Sequence, residues 1–167
     1  MRICPTQFLG TDTHGHLSLL FEKTLVAGWR DMDYNSHMAN TAYLDRAADV
    51  RMMYFAENGF TVDDMLRMKI GPVIKKDEIE YYREVKLLQE IRVTLAIAGL
   101  APDGSRFMLR NEFAHADGTR CAVITSTGGW LDLNIRKLIA PPEALRAAME
   151  ALPKVEGFRE LRSSVSR

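Results

Sequence analysis

The sequence has little that would tie it to a membrane, a polyanion or an oxidising compartment. Its apolar runs, such as 95–100 and 121–124, fall far short of the roughly 18 consecutive residues a membrane helix needs, and the opening MRICPTQFLG lacks a charged-then-apolar leader pattern. Basic and acidic side chains balance at 22 each, so any nucleic-acid or anionic-surface contact needs a local cluster rather than a long-range field. There are only two cysteines, Cys4 in a loose N-terminal stretch and Cys121 in a strand-like run, which are more simply free thiols than a disulfide framework. These absences imply a cytoplasmic protein with neither membrane insertion nor a nucleic-acid partner. No internal repeat and no linker-like segment divides the chain.

What is present is a chain of 167 residues, 47% of them hydrophobic. A chain of this length buries about 70% of the surface its unfolded form exposes, enough for a core without staples. Residues 1–20 show no sustained period and read as a lead-in. His14 and His16 lie there, but an isolated H-x-H lacks the further ligands a metal site needs. Residues 21–152 read as a single domain and 153–167 as a frayed tail.

Within the domain, strand formers at 21–29 run into the polar loop RDMDYNSH. A helix over 40–58 follows, with Leu44, Ala47, Ala48, Met52 and Phe55 on its expected apolar face, Asn40 as N-cap and Gly59 as the residue that ends it. A short second helix is expected at 61–68, and Gly71-Pro72 should break the chain. Strands are expected at 73–85, 90–100, 106–116 and 120–133, the last three as an antiparallel meander divided by the turn signals Pro102-Asp103-Gly104 and Asp117-Gly118. Pro141-Pro142 opens a final helix over 142–152. One strand, a long amphipathic helix and a run of long strands make an α+β arrangement, and its exposed sheet edges suggest a dimer.

Chemistry concentrates between Arg30 and Asn40. Asp31, Asp33 and His37 lie just ahead of a helix N-terminus, whose unpaired amides and partial positive charge favour an oxyanion or a polarised carbonyl. A carboxylate beside it can serve as nucleophile or as general base toward water, and a nearby imidazole can orient it or donate a proton. Taken alone, the same residues also suit turn and capping bonds, with His37 a satisfied loop histidine. A metal held by Asp31, Asp33 and His37 is a further alternative, for which no additional ligand cluster stands out.

The run W-R-D-M-D-Y-N-S-H-M-A-N-T-A-Y-L, from Trp29 to Leu44, resembles the acyl-CoA thioesterases of the 4-hydroxybenzoyl-CoA thioesterase family, whose pattern here is approximately D-x-D-x-x-x-H-x-N-N-x-x-Y-L. Asp31, Asp33, His37, Asn40, Tyr43 and Leu44 match it, whereas Ala39 replaces the first of the two asparagines. A looser similarity runs over about 21–146. It includes Ile79-Glu80-Tyr81-Tyr82-Arg83, where Glu84 replaces the proline that usually follows, and Gly129-Trp130-Leu131-Asp132.

The resemblance implies a hotdog fold: a long helix wrapped by a curved antiparallel sheet, in homodimers that continue the sheet and often pair into tetramers. It implies active sites at the dimer interface and hydrolysis of an acyl-CoA or related thioester without cofactor or metal. By residue-wise match Asp33 is the general base or nucleophile and the amide of Asn40 polarises the carbonyl. His37 and Asn35 organise the loop, Tyr43 supports it, and Asp31 is an acid that holds it in place. Two other readings share these features, a hotdog enoyl-CoA hydratase and a non-enzymatic acyl-CoA-binding protein. Met52, Met53, Tyr54, Phe55, Met65 and Met68 are near enough in sequence to line an acyl pocket, but a Met and aromatic stripe at helical spacing is more often core, and none is named as a substrate contact. Arg83, Lys86, Arg136 and Lys137 are candidates to meet the CoA phosphates, although taken singly each is explained by a solvated face.

Overall fold

Alternation along the meander builds the core. In a computed structural model describing residues 9–11 and 17–165, the strands β5 (Glu90–Leu100), β6 (Arg106–His115) and β7 (Arg120–Asp132) turn one face inward. Ile91, Val93, Leu95 and Ile97, then Phe107, Leu109 and Phe113, then Ala122, Ile124 and Trp130 are all buried on that face. It closes on helix α1 (Asn40–Glu57), which follows β3 (Phe21–Val26) and a 3₁₀ turn at Trp29–Asp31. Upstream, β1 (Leu9–Thr11) and β2 (Leu17–Leu19) pair antiparallel.

Helix α1 ends with Gly59 at φ +85°, the amide of Phe60 on the carbonyl of Phe55 (2.8 Å) and that of Gly59 on Ala56 (3.1 Å). This Schellman arrangement is what an achiral residue just beyond the helix permits. The short α2 (Val62–Arg67) starts from a Thr61–Asp64 capping box. Strand β4 (Ile70–Tyr81) then returns to the far side of β7, so the main sheet runs β3-β5-β6-β7-β4. Strand β8 (Leu138–Ile139) extends β7, and α3 (Glu143–Glu150) caps one end of the core.

Four expectations change. The buried stripe of α1 runs through Tyr43, Ala47, Val50 and Tyr54, with Arg51 and Phe55 beside it, while Ala48 faces solvent. Arg51 is buried because the sheet satisfies it: its Nε donates to Asn111 Oδ1 (2.9 Å) and a terminal nitrogen to Ser126 Oγ (2.6 Å). Burial pulls its guanidinium below the usual arginine range, and Asp77, which takes the Ser126 hydroxyl, pushes back. Gly71-Pro72 does not break the chain but lies inside β4, where Pro72 faces Trp130. Among the described strands β4 is bonded to β7 alone, and an edge tolerates a missing N–H.

The strand also stops at Tyr81 rather than reaching 85. The amides of Tyr82 and Arg83 both turn onto the carbonyl of Cys121 (2.8 and 3.1 Å), and the next residues leave the sheet for the loop ahead of α1. Lastly, the expected frayed tail contains β9 (Lys154–Glu160), parallel to β5 and covering the stretch at Ile97–Leu100 that β3 leaves unpaired. Gly99 lets the two backbones meet, since a Cβ there would lie 2.9 Å from the carbonyl oxygen of Arg159. Cys121 is a free, buried thiol whose pKa is raised by burial. His14, His16 and Cys4 lie outside the described residues. No described helix is long and apolar enough to cross a membrane.

Candidate active site

The loop between β3 and α1 is held by a carboxylate that does not face the cavity. Asp31, only 7% exposed, accepts at Oδ2 from the amide of Gly28 (2.7 Å) and from Arg46 of α1 (2.7 Å). That hydrogen bond raises the Arg46 pKa further. The carbonyl of Asp31 takes the amide of Ala39 (2.7 Å). One residue thus ties the end of β3, the start of α1 and the helix's second turn together.

From this base Met32 to Met38 folds into a tight arch. The two methionines bridge, the amide of Asp33 donates to the carbonyl of His37 (2.8 Å), and Ser36 takes a left-handed conformation at φ +64°. At the arch's base, Asp33 Oδ1 accepts from the amides of Asn35 (2.8 Å) and His37 (3.3 Å). These bonds fix the carboxylate's direction, in the manner of an Asx turn. Its other oxygen takes no hydrogen bond from any described residue. Asn35 serves through its backbone, and Tyr34 is fully exposed at the tip.

Helix α1 begins beside this carboxylate. Ala39, not Asn40, is the N-cap, and it offers no side-chain bond. Asn40 is the first helical residue, and its amide is unpaired among the described residues, as the first amides of a helix are unless something outside supplies an acceptor. Three residues on, the buried Tyr43 packs edge-to-face on Phe113 (5.3 Å between centroids) and Tyr81 (5.4 Å). Burial first, then Cys121 and Tyr81, pushes its phenol up to about 12.

The opposite wall comes from the segment that leaves β4. Tyr81 donates its hydroxyl to the carbonyl of Asn40 (3.4 Å), and the amide of Met38 donates to Val85 (2.8 Å). The His37 Nε2 lies 2.9 Å from Glu84 Oε2, and Lys86 lies 3.3 Å from the other Glu84 oxygen. Together Asp33, His37, Met38, Asn40, Tyr43, Tyr81, Tyr82, Arg83 and Glu84 line an open cavity of about 360 Å³.

Of the residues singled out from sequence, Asp33, His37, Asn40 and Tyr43 meet at this cavity. Asp31 sits behind it, and the Asn35 side chain is not part of its lining. Of the methionines and aromatics near the site in sequence, Tyr54, Phe55 and Met65 are core residues, as such a stripe more often is, and Met53 and Met68 face solvent. Arg83 and Lys86 flank the loop. Arg136 and Lys137 do not, because they sit by β8, which pairs with Trp130 and Leu131 of β7, whereas the cavity adjoins the Ala122 end. Nine residues of strand put those two ends roughly 30 Å apart. Sequence reasoning missed Glu84, whose one signal was its departure from the resembled pattern. Among the described residues no group of three or more His, Cys, Asp or Glu side chains is placed to hold a metal ion.

Comparison with known proteins agrees with this architecture. No curated protein matches the chain significantly. Solved structures do, at low identity. A hypothetical protein from Staphylococcus aureus, SAV2348, described in complex with CoA, has a TM-score of 0.73 at 20% identity, covering 83% of this chain and 89% of its own. The 1,4-dihydroxy-2-naphthoyl-CoA thioesterase Slr0204 from Synechocystis scores 0.70 at 14%, covering 78% and 95%. The probable thioesterase YbaW from Escherichia coli scores 0.67 at 21%, covering 79% and 98%. The family model of the thioesterase-like superfamily matches residues 27–149. With the loop, helix and wrapped sheet already in place, that match settles the family: the chain belongs to the thioesterase-like superfamily, as a hotdog-fold thioester hydrolase.

Proposed function

We propose that the protein hydrolyses acyl-CoA thioesters, with Asp33 as the base and the N-terminus of α1 as the oxyanion site. The observation that carries this reading is that Asp33, with one carboxylate oxygen left without a hydrogen bond, and Asn40, the first residue of α1, line one cavity. Asp33 takes a proton from water as the water oxygen bonds to the thioester carbon. The carbonyl oxygen gains the negative charge and meets the Asn40 amide and the helix's positive end. The intermediate then collapses, the carbon–sulfur bond breaks, and the proton held by Asp33 leaves with the thiolate. No step calls for a metal or a cofactor. Direct attack by Asp33 on the carbonyl is the variant of this chemistry that uses the same two groups.

Coenzyme A as the thiol is supported by the SAV2348 and Slr0204 descriptions. The reading includes a homodimer joined along β4. That strand is a twelve-residue sheet edge, exposed from Ile74 to Glu78, and an edge of this length is normally covered. The test is thiol release from a panel running from acetyl- through palmitoyl- to benzoyl- and phenylacetyl-CoA, with light scattering on the same sample. Turnover of at least one member by a particle of twice or four times the chain mass is expected. Tight acyl-CoA binding with no thiol release would replace hydrolysis with a binding role.

A further inference from the structure

The imidazole of His37 is bonded away from the carboxylate it follows in sequence. Among the described residues no hydrogen bond joins its ring to the side chain of Asp33, although the His37 amide donates to Asp33 Oδ1 (3.3 Å). The ring's Nε2 lies instead 2.9 Å from Glu84 Oε2. Glu84 is itself held from several sides: its carbonyl meets His115 Nε2 (3.0 Å), and its second carboxylate oxygen lies 3.3 Å from Lys86 Nζ. On either side of it, Arg83 is anchored on Cys121 and Val85 on Met38. Position 84 is also where this chain departs from the resembled pattern, with glutamate in place of proline.

The open oxygen of Asp33 is the atom that has to take a proton from water, and an unheld imidazole in the same cavity is a group able to block it. A protonated ring would pair with the carboxylate, and a neutral ring would donate to it. We propose that Glu84 is a positioning residue of the thioester site, holding His37 by Nε2 so that the Asp33 oxygen stays open to water. A carboxylate acceptor also sets the proton of the neutral ring on Nε2, leaving Nδ1 as its acceptor. The charged and titratable groups around the pair are Asp33 from the arch, Arg83 and Lys86 from the segment carrying Glu84, and His115 from β6. The tyrosines 81 and 82 complete the wall. This inference rests on the hydrolytic reading above.

The test is a double-mutant cycle over Glu84 and His37, measured as kcat and KM on the best acyl-CoA together with Tm. Glu84→Ala is expected to lower kcat roughly 10- to 100-fold, the scale of a misplaced group at a reacting centre, with KM within about twofold. Glu84→Gln keeps an acceptor and should recover part of that loss. On a His37→Ala background either change should cost nothing further, because no imidazole remains to block Asp33. If Glu84→Ala lowers Tm, the isosteric glutamine variant carries the cycle. Side-chain ¹⁵N spectra of His37 give a readout independent of turnover: an Nε2–H signature in the native protein that is lost in Glu84→Ala. Wild-type kcat in both Glu84 variants, or losses that add in the double variants, overturns the proposal. A fully active Asp33→Asn protein would instead overturn the hydrolytic reading, and the ¹⁵N result would still report on the pair.

Discussion

The two ends of α1 are built to opposite specifications. At the C-terminal end Phe55, Phe107 and Trp130 are at most 1% exposed and stack edge-on or tilted within 5.6 Å. The Trp130 indole reaches Met149 of α3, Tyr54 donates to the carbonyl of Ala148 (2.5 Å), and the last helical carbonyls are taken up by Gly59 and Phe60. At the N-terminal end the cap has no side-chain bond, Tyr34 is fully exposed, and Tyr81 is half exposed over the cavity. One helix thus has a closed end that stabilises and an open end that keeps donors free for a ligand. An unsatisfied helix start costs stability unless something outside supplies the acceptor, and in the proposed function that acceptor is an acyl oxygen.

That contrast can be broken at either end. The largest effect on stability should come from Phe55→Ala, which leaves a cavity against Trp130 and should lower unfolding free energy by about 3–5 kcal/mol in a urea titration. Asp31→Asn comes next, since it weakens the bonds to Gly28 and Arg46 behind the arch. A loss of about 1–3 kcal/mol is expected, with kcat/KM falling less than in any Asp33 variant. Thr61→Ala removes the α2 cap and should cost about 1 kcal/mol with unchanged turnover.

The last effect appears only at high pH. Tyr43 has its folded pKa raised to about 12 from an ordinary 10, so its contribution is fully present below about pH 10 and lost as pH rises toward 12. Tyr54 and Tyr81 are shifted in the same direction by burial. Tyr43→Phe should therefore flatten, without abolishing, the fall in stability between pH 10 and 12 relative to wild type. An unchanged slope would mean that the Tyr43 phenol is less buried than its contacts indicate.

Much of this was legible in the sequence, for reasons that sort by range. The meander from Glu90 to Asp132 was readable because alternation and turn residues are local signals, and the start of α1 came out within one residue. The face of α1 was legible only in part: Ala47 and Phe55 are buried and Leu44 and Met52 pack against the core, but Ala48 faces solvent, and Arg51 is buried because Asn111 and Ser126, sixty and seventy-five positions away, satisfy it. Pro72 misled because its cost depends on being at an edge, which is a property of the whole sheet. The polar tail misled because what makes Lys154–Glu160 a strand is the vacant rim of β5. At the site, Asp33, His37, Asn40 and Tyr43 are close in sequence and were found together, whereas Glu84 reaches His37 only through the fold.

The measurement that bears most directly on the central claim is kcat/KM for thiol release by Asp33→Asn beside the wild type, on the best CoA thioester, with Tm recorded for both. A loss of about 10²- to 10⁴-fold is expected with Tm within a degree or two, because the Asn35 and His37 amides keep an oxygen acceptor in the asparagine. Wild-type turnover in a folded Asp33→Asn protein would contradict it and move the chemistry to another group in the cavity.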